Sequence, residues 1–112
     1  MRPIRVTVGS ATSSAPIPLD TYRGPFNVGI GVVLSSGADL TYTVEHTFDN
    51  VFAPGFDPAT ATWFPTTGLS ARTASMDGNY AFPVVATRLR VSAWVSGTAT
   101  MTVIQAGVPG GA

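Results

Sequence analysis

The sequence predicts an all-β domain, an antiparallel β-sandwich of the jelly-roll kind ahead of a closed barrel. Three observations predict it. Apolar residues recur at every second position in short stretches, and no sustained i, i+3, i+4, i+7 pattern accompanies them. Nine Pro and 12 Gly are spread along the 112 residues, so turn signals punctuate the chain from end to end. Few windows escape a β-branched residue, Gly or Pro, which leaves no run suited to a helix.

Taken in order, Ile4-Arg5-Val6-Thr7-Val8 alternates cleanly and reads as the first strand. Gly9 to Ala15 is small and polar, a loop. Pro16-Ile17-Pro18-Leu19 is extended, and its two prolines lack ladder donors, so it belongs at a sheet edge. Asn27 to Leu34 sets Val28, Ile30, Val32 and Leu34 on one face. Ser35 to Asp39 is a turn. Leu40 to Phe48 carries the clearest strand signal, with Leu40, Tyr42, Val44, His46 and Phe48 on one side and Thr41, Thr43, Glu45 and Thr47 on the other.

The middle of the chain is less regular. Asp49-Asn50, Pro54-Gly55 and Asp57-Pro58 are turn formers, and Ala61 to Pro65 is a short strand or an apolar anchor. Thr66 to Asn79 reads as a long surface loop ending in an Asp77-Gly78-Asn79 turn; loops of that length are uncommon unless they bind something. Tyr80 to Val84 resumes strand alternation. Thr87 to Val95 and Ala99 to Val103 are expected to form a hairpin around Ser96-Gly97-Thr98. A three-residue loop there sets Val95, Ala93 and Val91 against Ala99, Met101 and Val103 on one apolar face. The same register puts Trp94 on the outer face, in line with Arg88 and Arg90.

The length fits one domain, and no repeat divides it. Its expected bounds are 1–106, with an N-terminal extension at 1–5 and a flexible C-terminal arm at 107–112. No cysteine is present, which removes disulfides, thiolate metal sites and a cysteine nucleophile. The start of the chain is charged but is followed by Thr and Ser rather than an apolar stretch, so no secretory signal is expected. The most apolar run, Val28 to Leu34, is too short to span a bilayer and is broken by Gly29 and Gly31.

Charge narrows the function classes. Six basic residues balance six acidic ones, and charged residues are 11% of the chain, against about 25% in ordinary domains. All six basic residues are Arg. Zero net charge with so few charges favours self-association, which is resolved if partners cover much of the surface. Arginine suits such contacts better than the strongly hydrated lysine ammonium. No basic stripe is available for nucleic acid or for an anionic membrane.

The search for chemistry is short. His46 is the only histidine, and on an inward strand face it reads as a hydrogen-bonded margin residue rather than a base or ligand. No Gly-x-Ser-x-Gly elbow or phosphate loop occurs. Asp39, Asp49, Asp57 and Asp77 sit in turn contexts, where Asp bonds its own backbone. Gly29 and Gly31 read as a close backbone approach or a bulge. Most of the aromatics, among them Phe48, Phe52, Phe56, Phe64, Tyr80 and Phe82, are expected in the core, with Trp63 and Trp94 left open. No catalytic residue, cofactor or metal is expected, and the chain reads as a binding protein.

A resemblance narrows this. Ala61-Thr62-Trp63-Phe64-Pro65, then Asp77 to Val84, then the closing block RLRVSAWVSGTATMTVIQAG at residues 88–107, resemble a group of small structural proteins encoded by short-tailed phages. The likeness covers the second half of the chain. Some members of that group are head decoration, or cement, proteins: all-β, without enzymatic activity, and clamping neighbouring capsid subunits after the shell expands. The resemblance therefore implies a non-enzymatic virion protein, made in the host cytoplasm and placed on the capsid surface. Its partner would be the major capsid protein, and a homo-oligomer is expected. The expected contact residues are Arg2 and Arg5 near the N-terminus, Trp63, Arg72 in the 66–79 loop, Trp94, and Val108 in the C-terminal arm. Two other readings stay open. One is a carbohydrate- or receptor-binding sandwich stacking sugars on Trp63, Trp94 or Tyr80; the other is a tail or neck adaptor.

Overall fold

The computed structural model of the chain describes residues 3–19 and 24–108. Eight strands form among them: β1 Ile4–Val8, β2 Ile17–Pro18, β3 Gly24–Leu34, β4 Asp39–Thr47, β5 Phe64–Pro65, β6 Met76–Tyr80, β7 Ala86–Ser96 and β8 Ala99–Val108. They make two four-stranded antiparallel sheets, in the orders β1-β8-β3-β6 and β2-β7-β4-β5. No helix occurs among the described residues. The predicted all-β, antiparallel sandwich is therefore the observed fold.

Alternation explains why these stretches are strands. In β3, Val28, Ile30 and Val32 are buried; in β4, Leu40, Tyr42 and Val44; in β8, Met101 and Val103. Their neighbours in sequence face outward, as a period of two requires. The core lies between the sheets, with Ile17, Leu89 and Val91 from one and Val8 and Tyr80 from the other. The Pro16–Leu19 stretch supplies β2 at the edge of its sheet, as its prolines demand. The pairing is nested: β1 with β8, β2 with β7, β3 with β6, and β4 with β5.

Several expectations give way. β7 and β8 do not form a hairpin with each other. β7 pairs with β4 and β2, whereas β8 pairs with β1 and β3, so Gly97-Thr98 carries the chain from one sheet to the other. Two register shifts in the β4–β7 pairing leave Ser92 and Val95 as extra residues on β7. Val95, expected inside, is 69% exposed. Trp94 lies opposite the buried Leu40, out of line with Arg88 and Arg90, which stand opposite Glu45 and Thr43. Apolar alternation identified the strand, but bulges reset which residues share a face.

The expected 66–79 loop is also largely structured. Residues 66–72 run beside β4, with Val44 N donating to the Leu69 carbonyl and Tyr42 and Arg72 exchanging backbone bonds. Leu69 is wholly buried. Asp77-Gly78-Asn79 is not a turn but the middle of β6, opposite Gly31, Ile30 and Gly29. Gly78 leaves room there for Leu69: a Cβ would come within 2.8 Å of Leu69 Cδ1, and the leucine side chain would have to shift. Of the Tyr80–Val84 stretch read as strand, residues 81–84 lie outside any strand. Ile4 and Arg5 belong to β1 rather than to an extension, and β8 runs to Val108, past the expected start of the arm. Residues 1–2 and 109–112 lie outside the described residues. Gly29 and Gly31 mark neither a bulge nor a close approach. The β3 irregularity lies between Gly24 and Asn27, and a Cβ at Gly31 would meet nothing within 4 Å.

Candidate functional site

The end of β4 gathers the most distinctive side chains. His46 is buried, and its Nδ1 lies 3.2 Å from Thr66 Oγ1. From Thr66 the contacts continue to Tyr80 Oη at 2.6 Å, and from Tyr80 to Thr87 Oγ1 at 3.2 Å. Thr87 Oγ1 donates to the Glu45 carbonyl at 2.9 Å. Each hydroxyl has one proton, so that last bond orders the whole chain. Thr87 accepts from Tyr80, Tyr80 accepts from Thr66, and Thr66 accepts from His46. The imidazole is thereby held as the Nδ1–H tautomer, with Nε2 left as its acceptor. Burial lowers the pKa of His46 and so favours the neutral ring, in which Nε2 is the acceptor; the Nδ1–H donation itself persists in the protonated ring. Burial raises the pKa of Tyr80, with the hydrogen bonds to Thr66 and Thr87 opposing it.

Around this polar chain lie aromatic rings that the sequence reading placed in the core. Phe48, Phe64 and Phe82 have ring centroids 5.7, 5.9 and 5.8 Å from His46. Phe48 also meets Phe64 at 5.8 Å. All three are exposed, at 53%, 44% and 49%. Phe52 is exposed too, and Phe56 and Trp63 are half-buried; of the aromatics expected inside whose burial is described, Tyr42 and Tyr80 are the buried ones. The reason is positional. Phe48 stands just past the end of β4, and Phe64 and Phe82 flank the same end of the sandwich, beyond the reach of the facing sheet. A shallow apolar cleft of about 190 Å³ adds to the exposed apolar surface, lined by Pro16, Pro18, Val51, Phe52, Phe56 and Pro58.

The irregular 49–63 segment covers the outer face of β4 near this end. Thr47 Oγ1 donates to the Thr62 carbonyl, and Thr62 N donates to Asp49 Oδ2. Glu45 and Thr47, outward by alternation, are consequently buried. Arg88 Nε donates to Glu45 Oε1 at 2.9 Å, and its guanidinium lies 4.1 Å from the centre of the Trp63 ring. Of the turn aspartates, Asp57 does bond its own backbone, accepting from Ala59 N. Asp77 lies in a strand instead.

The expected contact residues are dispersed rather than brought together. Arg5 is exposed on β1, its Nε 3.3 Å from Thr102 Oγ1. Trp63 is half-buried, with its indole N–H donated to the Pro58 carbonyl. Arg72 is exposed beside β4 and donates to the Gly68 carbonyl. Trp94 sits at the opposite end from His46, 41% exposed, and donates to the Gly97 carbonyl. Val108 closes β8, and Arg2 lies outside the described residues. Tyr80 is buried and unavailable as a stacking platform. Phe48, Phe64 and Phe82, expected in the core, lie at the surface instead, and no periodicity signals this, because each stands at or beyond a strand end. Among the described residues, no three of His, Asp and Glu are grouped so as to hold a metal ion. No protein-family model, curated protein or solved structure matches this chain.

Proposed function

We propose that the chain is a non-enzymatic virion structural protein that binds the outer surface of a phage capsid and stabilises the shell by bridging capsid subunits. The observation that carries this reading is the exposed patch of Phe48, Phe64 and Phe82 around the buried His46. Contiguous exposed aromatics on a small domain mark a surface meant to be covered, and aromatic side chains supply much of the energy of protein contacts. The hydrogen-bonded chain beneath them holds the patch stiff, so little ordering entropy is spent on docking. The sparse charge of the chain fits a surface occupied by partners.

The resemblance of the second half to phage structural proteins supplies the partner, the major capsid protein. The nested strand pairing supports the finer architecture within the same proposal, a jelly roll. Many modest contacts repeated over a lattice add through effective concentration, so each one can be weak. The sugar-stacking alternative is less favoured, since one face of Trp63 is taken by Arg88 and Tyr80 is buried.

Rupture of the shell tests the stabilising role. Heads lacking this protein are expected to burst at a lower temperature, or under milder chelation, than heads to which it has been restored. Equal rupture with and without it would contradict the proposal.

A further inference from the structure

The outer face of β7 carries a second feature. The Thr12–Ser14 segment runs antiparallel along the edge of β7 as a strap, Ser13 bridging Arg90, and is fastened to it: Ser14 N donates to the Leu89 carbonyl, Leu89 N to Ser14 Oγ, and Val91 N to the Thr12 carbonyl. Between this strap and the 49–63 segment opens a cleft of about 580 Å³, lined by Thr12, Ser13, Ala59, Arg88, Arg90 and Ser92. Ser92 is the extra residue of a register shift, a device that re-aims side chains beside binding sites.

The two guanidiniums of the cleft are not equivalent. Arg88 is engaged by Glu45 at 2.9 Å and by the Trp63 ring. Arg90 is half exposed, and its Nη1 is 3.8 Å from Glu45 Oε2, outside hydrogen-bond reach. Glu45 thus neutralises one cation, and Arg90 leaves a single positive charge facing the cleft with a flat fork of donors.

We infer that this cleft is a binding site for a carboxylate, the Asp or Glu side chain of an acidic protein segment. A planar monoanion matches both the fork of Arg90 and the single residual charge. A phosphate dianion would bring its second charge toward the Glu45 carboxylate. The chain as a whole has no net charge, so the attraction is local to this cleft rather than a general field. That the carboxylate comes from a protein rests on the reading of the chain as a capsid-binding protein; the site itself does not.

The test is made in solution, without heads, so its outcome is independent of shell binding. The 15N-labelled protein is titrated with a tri-glutamate peptide, with glucuronate and with inorganic phosphate, following the arginine Nε–H signals and the backbone amides of the cleft, the latter giving the affinities of the variants. The peptide is expected to move the Arg90 signal saturably, with affinity falling at least about tenfold in Arg90→Gln. Ser92→Asp, which adds a negative charge to the cleft, is expected to abolish the response, and rising salt to weaken it. Both substitutions are at exposed positions, and unchanged amide spectra verify the fold. An unmoved Arg90 signal with all three probes overturns the site. Unaltered peptide binding by Arg90→Gln overturns the assignment of Arg90. Phosphate binding as tightly as the peptide overturns carboxylate selectivity, and tighter glucuronate binding overturns the protein source.

Discussion

His46 shows how a single buried group sets both geometry and pH response. Its Nδ1–H begins a one-way chain through Thr66, Tyr80 and Thr87 to the Glu45 carbonyl. An unfolded histidine titrates near its ordinary value, whereas burial holds the native pKa lower. Above the unfolded value both states are neutral and the full stability is present. As pH falls, the unfolded chain takes up its proton first, so stability declines until native His46 is protonated as well. Melting temperature is expected to fall as pH drops below about 7.5, and His46→Gln to flatten that slope. A slope unchanged in His46→Gln would show that His46 is not the titrating group. Tyr80→Phe breaks the chain at its centre and strands the Thr66 hydroxyl in the core. Urea unfolding should show a loss of about 1–3 kcal/mol, the cost of an unsatisfied buried donor.

At the scale of elements, the junction between β7 and β8 decides the topology. Gly97 has φ +88°, and a Cβ there would stand 2.5 Å from Ala38 Cβ and 2.7 Å from its Cα. Backbone conformation and crowding both demand glycine. Gly97→Ala is expected to cost about 2–4 kcal/mol in urea unfolding. Gly31→Thr, on the open outer face of β3, should stay within about 0.5 kcal/mol of the parent. Equal effects at the two sites would contradict the crossing described here. The strands β3 and β4 were legible because one face of each is buried against the other sheet, which writes itself as alternation, and β1 because Val6 and Val8 alternate toward the core. The β7–β8 crossing was not legible, because Ser-Gly-Thr serves equally for a hairpin or for a step between sheets. β6 was hidden behind Asp-Gly-Asn, a turn signal in most settings that here reflects the space Leu69 takes from Gly78. The aromatic patch was missed for a related reason. Hydrophobicity says that Phe48, Phe64 and Phe82 prefer to be covered, but not whether the same chain or another one covers them.

For the molecule as a whole, the nested pairing joins the ends of the chain. Arg5 meets Thr102 across 97 positions of sequence, and β2, β3 and β4 likewise pair with strands that lie later in the chain. Such non-local pairing predicts slow folding, in the millisecond-to-second range of all-β domains. It also means that β1 is structural: trimming into Ile4–Val8 should unfold the domain rather than merely shorten an arm. What such a framework offers is a stiff body with little charge and an apolar end left uncovered. The most direct test of the proposed function is co-sedimentation of the purified chain with expanded, undecorated heads of the phage proposed to encode it, alongside a variant in which Phe48, Phe64 and Phe82 are all serine. The account predicts saturable binding at hundreds of copies per shell for the native chain, in keeping with lattice-wide decoration, and loss of that binding in a variant that still folds. No binding by the native chain, or only a few copies per particle, would contradict it.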